Sequence, residues 1–309
     1  MNAEIIHKLF LSEDISQVRL AVCASGPEPL EIACDLDSLE LLLAMQLHGA
    51  DVASAVRDAG LLSMAKSAKV ASFLLTHADL KTINSAQYLT LATAARLGRR
   101  DVVEVLLDAG ADPDVASTGF SADTALHKAA WNLDLALVRL LIERGANLDA
   151  KQDRHWTALH VCMRGEGRED ERRAVAAALM AGGADVNARA DGGHTPLHFA
   201  CEYGHTQLMR DLIADGADVD AKTRHDEYTA LGMCCIKRNL EPAIVLLRAG
   251  ASDVGGFKRD EKAKEFLALA KKELARRNLS EEVASEIEGQ LSAAKVGSNA
   301  GAKRRGLSL

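Results

Sequence analysis

The chain has 309 residues, a hydrophobic fraction of 48%, only 4% aromatic residues and a formal net charge of −7. This composition favours a core of Leu, Ala and Val in closely packed helices, whereas the acidic charge excludes a whole-molecule affinity for nucleic acid or anionic membranes. Six cysteines are too few for a disulfide scaffold, and no apolar run is long enough for a transmembrane segment. Because the N-terminus carries no signal-peptide pattern, the chain is expected to be cytoplasmic.

The N-terminal part of the chain predicts a series of short helical segments that end in related phrases. Residues 28–51 end in HGAD, and residues 89–112 end in AGAD. Residues 57–79 form a degenerate copy, because an alanine stands where the glycine is expected. Residues 1–27 are interpreted as a partial copy that caps the series.

The same pattern is explicit in the middle of the chain, where each copy opens with a threonine and closes with a Gly-Ala phrase. The four openings are TALHKAA from Thr124, TALHVCM from Thr157, TPLHFAC from Thr195 and TALGMCC from Thr229. A threonine hydroxyl caps the first helix of such a unit, and the glycine takes the left-handed conformation that ends the second helix. One unit cannot bury its own apolar face, so neighbouring units must stack.

These motifs resemble the ankyrin repeat, and TPLHFACEYGHTQLMRDLIADGADVDA (195–221) follows the family pattern almost position by position. The resemblance covers residues 28–252 in six to seven units. It implies an all-α ankyrin-repeat solenoid of stacked helix-turn-helix units with projecting loops. It also implies a non-enzymatic protein that binds another protein, as an adaptor, an inhibitor or a neutralising partner.

One unit departs from this pattern in a way that affects its structure. The copy that begins at Thr157 holds about five extra residues within RGEGREDERR (164–173). The insertion predicts either a longer, highly charged loop between the two helices or an extended helix. The connection from Asp112 to Thr124 is also longer than its counterparts.

The C-terminal part of the chain no longer follows the repeat. Residues 253–295 predict two helices that cap the last unit, the second opening at Ser280. The apolar stripe of the first of these helices consists of Ala263, Phe266, Leu267, Ala270 and Leu274. Residues 296–309 have the composition of a flexible basic tail.

The histidines and cysteines of the repeats invite a search for a catalytic or metal site. His127, His160 and His198 share one place in the motif, where the resemblance implies hydrogen bonds to neighbouring backbone. Five cysteines take the places of small buried residues, namely Cys34, Cys162, Cys201, Cys234 and Cys235. Their spacing does not supply four converging ligands, so no metal, no cofactor and no small-molecule substrate are expected.

If the units stack, their concave face consists of the loop tips and of the residues that follow the small pair in each first helix. Both tryptophans and all three tyrosines fall at such positions, including Tyr88. Trp, Tyr and Arg dominate binding hot spots, so these positions are the candidate binding site. The predicted partner-binding residues are Arg96, Phe120, Trp131, Asn132, Arg154, His155, Trp156, Arg164, His194, Glu202, Tyr203, Arg224, Tyr228 and Lys237.

Other interpretations of these features remain open. Tyr88, Trp156 and Tyr228 are also explained by packing across adjacent loops. The basic tail would suit a tether to nucleic acid or another anionic surface, although the acidic body makes nucleic acid an unfavoured partner. An enzyme whose site lies at the charged insertion, with Cys162 and His160, is a third possibility. The chain is expected to be a monomer.

Overall fold

The computed structural model describes residues 28–47, 49–58, 60–79, 84, 90–117, 121–165, 167–252 and 260–304. Within these ranges all regular secondary structure is helical, with sixteen α-helices, one short 3-10 helix and no strand. The predicted all-α fold class is therefore confirmed. The chain divides into two compact units, Met1–Phe199 with Ala214–Ala217 and Ala200–Ile213 with Asp218–Leu309.

The first unit is a row of helix pairs. Its helices are α1 (Glu28–Asp35), α2 (Leu39–Leu47), α3 (Val52–Asp58), α4 (Leu61–Met64), α5 (Ala68–Leu75), α6 (Thr90–Arg96), α7 (Arg100–Asp108), α8 (Ala125–Trp131), α9 (Leu135–Glu143), α10 (Ala158–Cys162) and α11 (Glu169–Ala181). The first helices of the pairs, α1, α4, α6, α8 and α10, contact one another in that order. The degenerate copy is the pair α4 and α5, whose first helix is a single turn of four residues.

The second unit ends in a long helix. Helices α12 (Pro196–Tyr203) and α13 (Thr206–Ala214) have residues in both units, and α14 (Ala230–Lys237), α15 (Leu240–Arg248) and α16 (Glu261–Arg304) belong to the second. Helix α16 packs on α14 and α15 and buries Ala263, Leu267 and Ala270, as the apolar stripe predicts. This packing removes apolar surface from water at the end of the last repeat.

The prediction of two C-terminal helices is wrong, because α16 is continuous through Ser280. The Ser280 hydroxyl donates to the carbonyl of Arg276, one turn earlier in the same helix, at 3.0 Å, so it does not cap a new helix. The helix continues to Arg304, where a flexible tail from residue 296 was expected. Residues 305–309 and the predicted N-terminal cap, residues 1–27, lie outside the described residues. The domain boundaries themselves remain predictions.

The threonine and histidine of the repeat motif form the same set of hydrogen bonds in successive repeats, called here the threonine–histidine set. The Thr124 N–H donates to Nδ1 of His127 at 3.2 Å, and Nε2 of that ring donates to the Trp156 carbonyl at 2.9 Å. His160 makes the equivalent bonds to Thr157 N and to the carbonyl of His194, both at 3.2 Å. Because Nδ1 accepts and Nε2 donates, each imidazole is neutral, and the implied structural role of these histidines is confirmed.

The turns between successive repeats are built from glycine and aspartate. Gly145 and Gly183, at the ends of two outer helices, have φ of +80° and +97°, and a Cβ on either would meet no atom within 4 Å. Their conformation, and not a lack of space, therefore calls for glycine. One repeat further on, the Asp185 N–H donates to Oδ1 of Asp149 at 2.9 Å, which links consecutive loops.

The insertion between α10 and α11 extends a helix. Helix α11 has 13 residues, whereas α9, the equivalent helix of the preceding unit, has 9. Its first turn carries Glu169, Asp170 and Glu171, whose negative charges suit the N-terminus of a helix. The loop is longer as well, because α10 ends at Cys162 and α11 begins at Glu169, whereas α8 ends at Trp131 and α9 begins at Leu135. The structure therefore combines the two predicted alternatives.

Arg172 holds this insertion in place from the inside. Its side chain is buried, and the guanidinium Nη1 donates to the carbonyls of Cys162 at 2.6 Å and of Gly165 at 2.9 Å. The carbonyl of Cys162 belongs to the last turn of α10 and that of Gly165 follows this turn, so neither has a further N–H of α10 available to it. A buried arginine thus replaces the backbone donors that a standard repeat turn would provide.

Gly165→Ala is expected to destabilise the first unit by about 2 kcal/mol, because an added methyl group overpacks a closed contact. A Cβ at Gly165 would lie 2.4 Å from the backbone oxygen of Trp131, which cannot rotate away. The matched control is Gly182→Ala, whose Cβ would meet the flexible end of the Leu148 side chain at 3.0 Å and the backbone oxygen of Ala178 only at 3.3 Å. Urea denaturation followed by tryptophan fluorescence measures both variants. Equal stability of the two variants would contradict this prediction.

Candidate functional site

An open cavity of about 550 Å³ lies on the first unit, where the ends of α6, α8 and α10 meet two loops. It is lined by Arg96, Ser121, Asp123, His127, Lys128, Trp131, Asn132, Gln152, Asp153, Arg154, Trp156, Val161 and Arg164. Six of the predicted partner-binding residues are among these, namely Arg96, Trp131, Asn132, Arg154, Trp156 and Arg164. The structure therefore brings these six predicted residues together in one place.

The two tryptophans of the chain differ in their surroundings within this cavity. Trp131 is the last residue of α8 and remains 41% exposed. Trp156 is half-buried, with the edge of its ring against Phe199 at a centroid distance of 5.3 Å. The guanidinium carbons of Arg154 and Arg164 lie 5.5 and 4.9 Å from the Trp156 centroid. Such cation–π contacts hold both arginine side chains at the cavity.

Positive charge predominates in the cavity. Four cationic side chains line it, whereas Asp123 and Asp153 are its two carboxylates. Asp123 is neutralised by Lys128, whose Nζ lies 2.5 Å from Oδ2. Across the part of the chain that the structure describes, no carboxylate pairs with Arg96, Arg154 or Arg164. Burial lowers the pKa of His127, so its ring adds no charge at neutral pH.

Comparison with known proteins agrees with the helix pairs and their caps. The family model described as ankyrin repeats (3 copies) matches residues 168–255, and that described as ankyrin repeats (many copies) matches residues 91–142. Ankyrin repeats therefore make up residues 91–142 and 168–255 of the chain. The family is a non-enzymatic fold that generally mediates protein–protein interaction.

Three relatives share part of their length with this ankyrin-repeat chain. The ankyrin repeat and KH domain-containing protein mask-1 of Caenorhabditis elegans is 32% identical over 193 residues, which cover 55% of this chain and 7% of the relative. The human ankyrin repeat and SOCS box protein 16 is 32% identical over 179 residues, covering 55% and 38%. The human SH3 and multiple ankyrin repeat domains protein 2 is 32% identical over 154 residues, covering 49% and 8%. The ankyrin-repeat chain thus spans less than two fifths of each of these relatives.

Asn132 has a structural role as well, and His155 and His194, predicted in the same unit, are not among the residues that line the cavity. Nδ2 of Asn132 donates to the carbonyl of Arg96 at 2.9 Å and so also caps α6. His155 lies on an exposed loop tip with Nδ1 2.7 Å from Oδ1 of Asp191. The carbonyl of His194 accepts the bond from His160 described above. Phe120 lies outside the described residues, as does Tyr88.

The second unit of the ankyrin-repeat chain holds the predicted residues Glu202, Tyr203, Arg224, Tyr228 and Lys237. Nζ of Lys237 lies 3.5 Å from Oε1 of Glu202, and Tyr203 is 44% exposed. The carbonyl of Tyr228 accepts the N–H of Thr223 at 2.9 Å. Arg224 is exposed on the same loop.

Sequence analysis missed two residues that shape the ankyrin-repeat site. Lys128 lines the cavity, and its position three residues before Trp131 on α8 places it on the same helix face, which was a usable signal. Arg172 supports the insertion that carries Arg164, but nothing in its local sequence distinguishes a buried arginine from its exposed neighbours.

The cysteine and histidine proposed for an enzyme do not form a pair. Sγ of Cys162 donates to the carbonyl of Leu159 at 3.2 Å, and burial raises the pKa of the thiol to about 12. His160 uses both ring nitrogens in the threonine–histidine set. Of the described residues, no group of three or more His, Cys, Asp or Glu could hold a metal ion. Nor is any helix in the described ranges long and apolar enough to cross a membrane.

Proposed function

We propose that this ankyrin-repeat protein is a non-enzymatic interaction protein, an adaptor, inhibitor or neutralising partner, which binds a protein at the cavity of its first unit. The observation that carries the proposal is the exposure of Trp131 beside Trp156, with three arginines not paired to a described carboxylate. Trp and Arg contribute most of the binding energy in protein interfaces, because each buries a large area and still offers polar atoms.

The distribution of exposed apolar side chains supports this surface. In the first unit, Leu36, Leu97 and Trp131 are exposed one or two residues after the small pair of a first helix, while Leu43 and Leu47 are exposed on α2. In the second unit, Tyr203 and Ile236 are exposed at the same places in their repeats. The apolar side chains named here are exposed and are therefore available for contact with a partner.

In this proposal the predicted residues of the second unit also contact the partner, independently of the cavity. They are Glu202, Tyr203, Arg224, Tyr228 and Lys237. We also propose that the protein is a cytoplasmic monomer, and the five free cysteines of the described residues, all buried, suit a reducing compartment.

Trp131→Ala tests the proposed site. Affinity purification of the full chain from its native host, with mass spectrometry, is expected to recover the partner at least tenfold less with this variant than with the natural chain. The control is Leu279→Ala, which removes an apolar side chain that is 63% exposed on α16. Helical circular dichroism should be unchanged in both. Equal recovery of the same partners with Trp131→Ala and the natural chain would remove the site.

A further inference from the structure

We infer that the cavity receives an acidic segment of the protein partner, whose carboxylates bind Arg96, Arg154 and Arg164. The inference rests on the proposed function and adds the chemistry of the bound segment. It is carried by the charge of the cavity, by the way its arginines are held and by the exposed tryptophan beside them.

The three arginines of the cavity have hydrogen-bond donors available for a ligand. Each guanidinium has five N–H donors, and in the described ranges none of the three arginine side chains donates to a protein acceptor. The N–H groups project from the edge of the planar guanidinium, so a contact between its face and an aromatic ring leaves them available. A carboxylate is the protein acceptor that matches this fork of donors, and it does so with two parallel bonds.

Two of these arginines are held in place before any ligand binds. Trp156 contacts the guanidinium groups of both Arg154 and Arg164, and Phe199 supports the edge of its ring. Arg164 also belongs to the insertion that the buried Arg172 anchors. A side chain that is already positioned loses less conformational entropy when it binds a ligand.

The charge of the cavity is opposite in sign to that of the whole chain. The whole chain has a net charge of −7, whereas the cavity has more cationic side chains than carboxylates. Nearer the N-terminus of the first unit, α1 and α2 carry Glu31 and Glu40, whereas Asp35 on α1 is paired with Lys66. An acidic segment is therefore attracted to the cavity and repelled from these helices, which gives the bound segment one preferred location.

The cavity also has an apolar part. Trp131 is exposed at the cavity, and Val161 lines it as well. An indole beside arginines favours a segment that places an aromatic or aliphatic side chain next to its carboxylates. The cationic residues surround one cavity, whereas a nucleic-acid backbone is usually bound along an extended basic groove or stripe.

A random peptide library selected on the full chain tests this inference. Peptides selected on the natural chain are expected to be enriched in Asp and Glu next to aromatic or aliphatic residues. The enrichment should disappear on the triple variant Arg96→Gln, Arg154→Gln and Arg164→Gln. The control triple variant, Arg57→Gln, Arg139→Gln and Arg210→Gln, has the same net charge and alters exposed arginines outside the cavity, so it should retain the enrichment.

Direct binding completes the test. A selected peptide should bind at least tenfold more weakly when its Asp and Glu are replaced by Asn and Gln, with unchanged circular dichroism of each protein variant. Selected peptides without acidic enrichment, or equal enrichment on the cavity variant, would overturn the inference. Binding of a labelled single-stranded oligonucleotide that is lost only in the cavity variant would overturn it too, in favour of a phosphate ligand.

The two proposals fail in different ways. If Trp131→Ala abolishes recovery of the partner while the selected peptides are not acidic, the proposed function stands and the acidic segment is wrong. If Trp131→Ala leaves recovery of the partner unchanged, the binding site itself is wrong, whatever the peptide library yields.

Discussion

Arg172→Ala is expected to lower the free energy of unfolding of the first unit by about 3 kcal/mol. The substitution removes the guanidinium that donates to the carbonyls of Cys162 and Gly165, and it leaves these acceptors without the donor that now satisfies them. Loss of one partner of a buried hydrogen bond costs about 1–3 kcal/mol for each group left unsatisfied. Because the side chain is only 6% exposed, water replaces it poorly, and a cavity remains as well.

Urea denaturation followed by tryptophan fluorescence measures this effect, because Trp131 and Trp156 both lie in the first unit. Two controls separate burial from charge. Arg168→Ala removes a neighbouring arginine whose side chain is 81% exposed, and it should cost less than 1 kcal/mol. Arg172→Lys keeps the charge but not the planar donor fork, so its stability should lie between those of Arg172→Ala and the natural chain. An Arg172→Ala protein as stable as the Arg168→Ala protein would show that Arg172 does not anchor the insertion.

Lowering the pH from 7.5 to 4 is expected to cost the first unit about 3 kcal/mol through His160 alone. Burial lowers the pKa of this histidine from 6.5 to about 4 in the folded chain. Between these values the unfolded chain binds more protons than the folded chain, so stability falls as the pH falls. The loss begins as the pH passes 6.5 and is complete near 4, and about 1.4 kcal/mol corresponds to each pH unit. Burial lowers the pKa of His127 as well, which acts in the same direction.

Urea denaturation at a series of pH values checks this expectation. His160→Gln should be less stable at neutral pH and should lose less stability on acidification than the natural chain. The matched control is His155→Gln, whose side chain is 60% exposed and which should keep the natural slope. If the slope survives His160→Gln unchanged, the threonine–histidine set is not the origin of the acid sensitivity.

The helix pairs could be predicted because their signals are local. Thr124, Thr157 and Thr195 each precede a helix with a histidine three residues later, and hydrogen bonds within four residues depend little on the rest of the chain. The apolar stripe of α16 was predictable for the same reason. The break at Ser280 was not, because a serine within a helix can also donate to the carbonyl one turn earlier.

The candidate site was predicted as a set of positions and not as a cavity. Repeat position alone indicated that Trp131 and Arg164 do not take part in stacking, whereas it left Trp156 open between partner binding and packing across adjacent loops. It did not indicate that Asn132 also caps α6, since that bond joins residues 36 apart in the chain. Position also did not distinguish Arg164, which contacts Trp156, from Arg172, which is buried under the insertion.

The sequence by itself determined the repeat, its caps and the positions left over from packing, since each depends on residues within one or two turns of a helix. Only the tertiary structure decided which of the leftover side chains meet, because contacts between repeats join residues about 30 or more apart. It brought Arg96 and Trp131 into one cavity with Trp156 and Arg164, which belong to later repeats. The surplus positive charge of the cavity depends on this meeting of side chains from different repeats, which no local pattern of residues encodes.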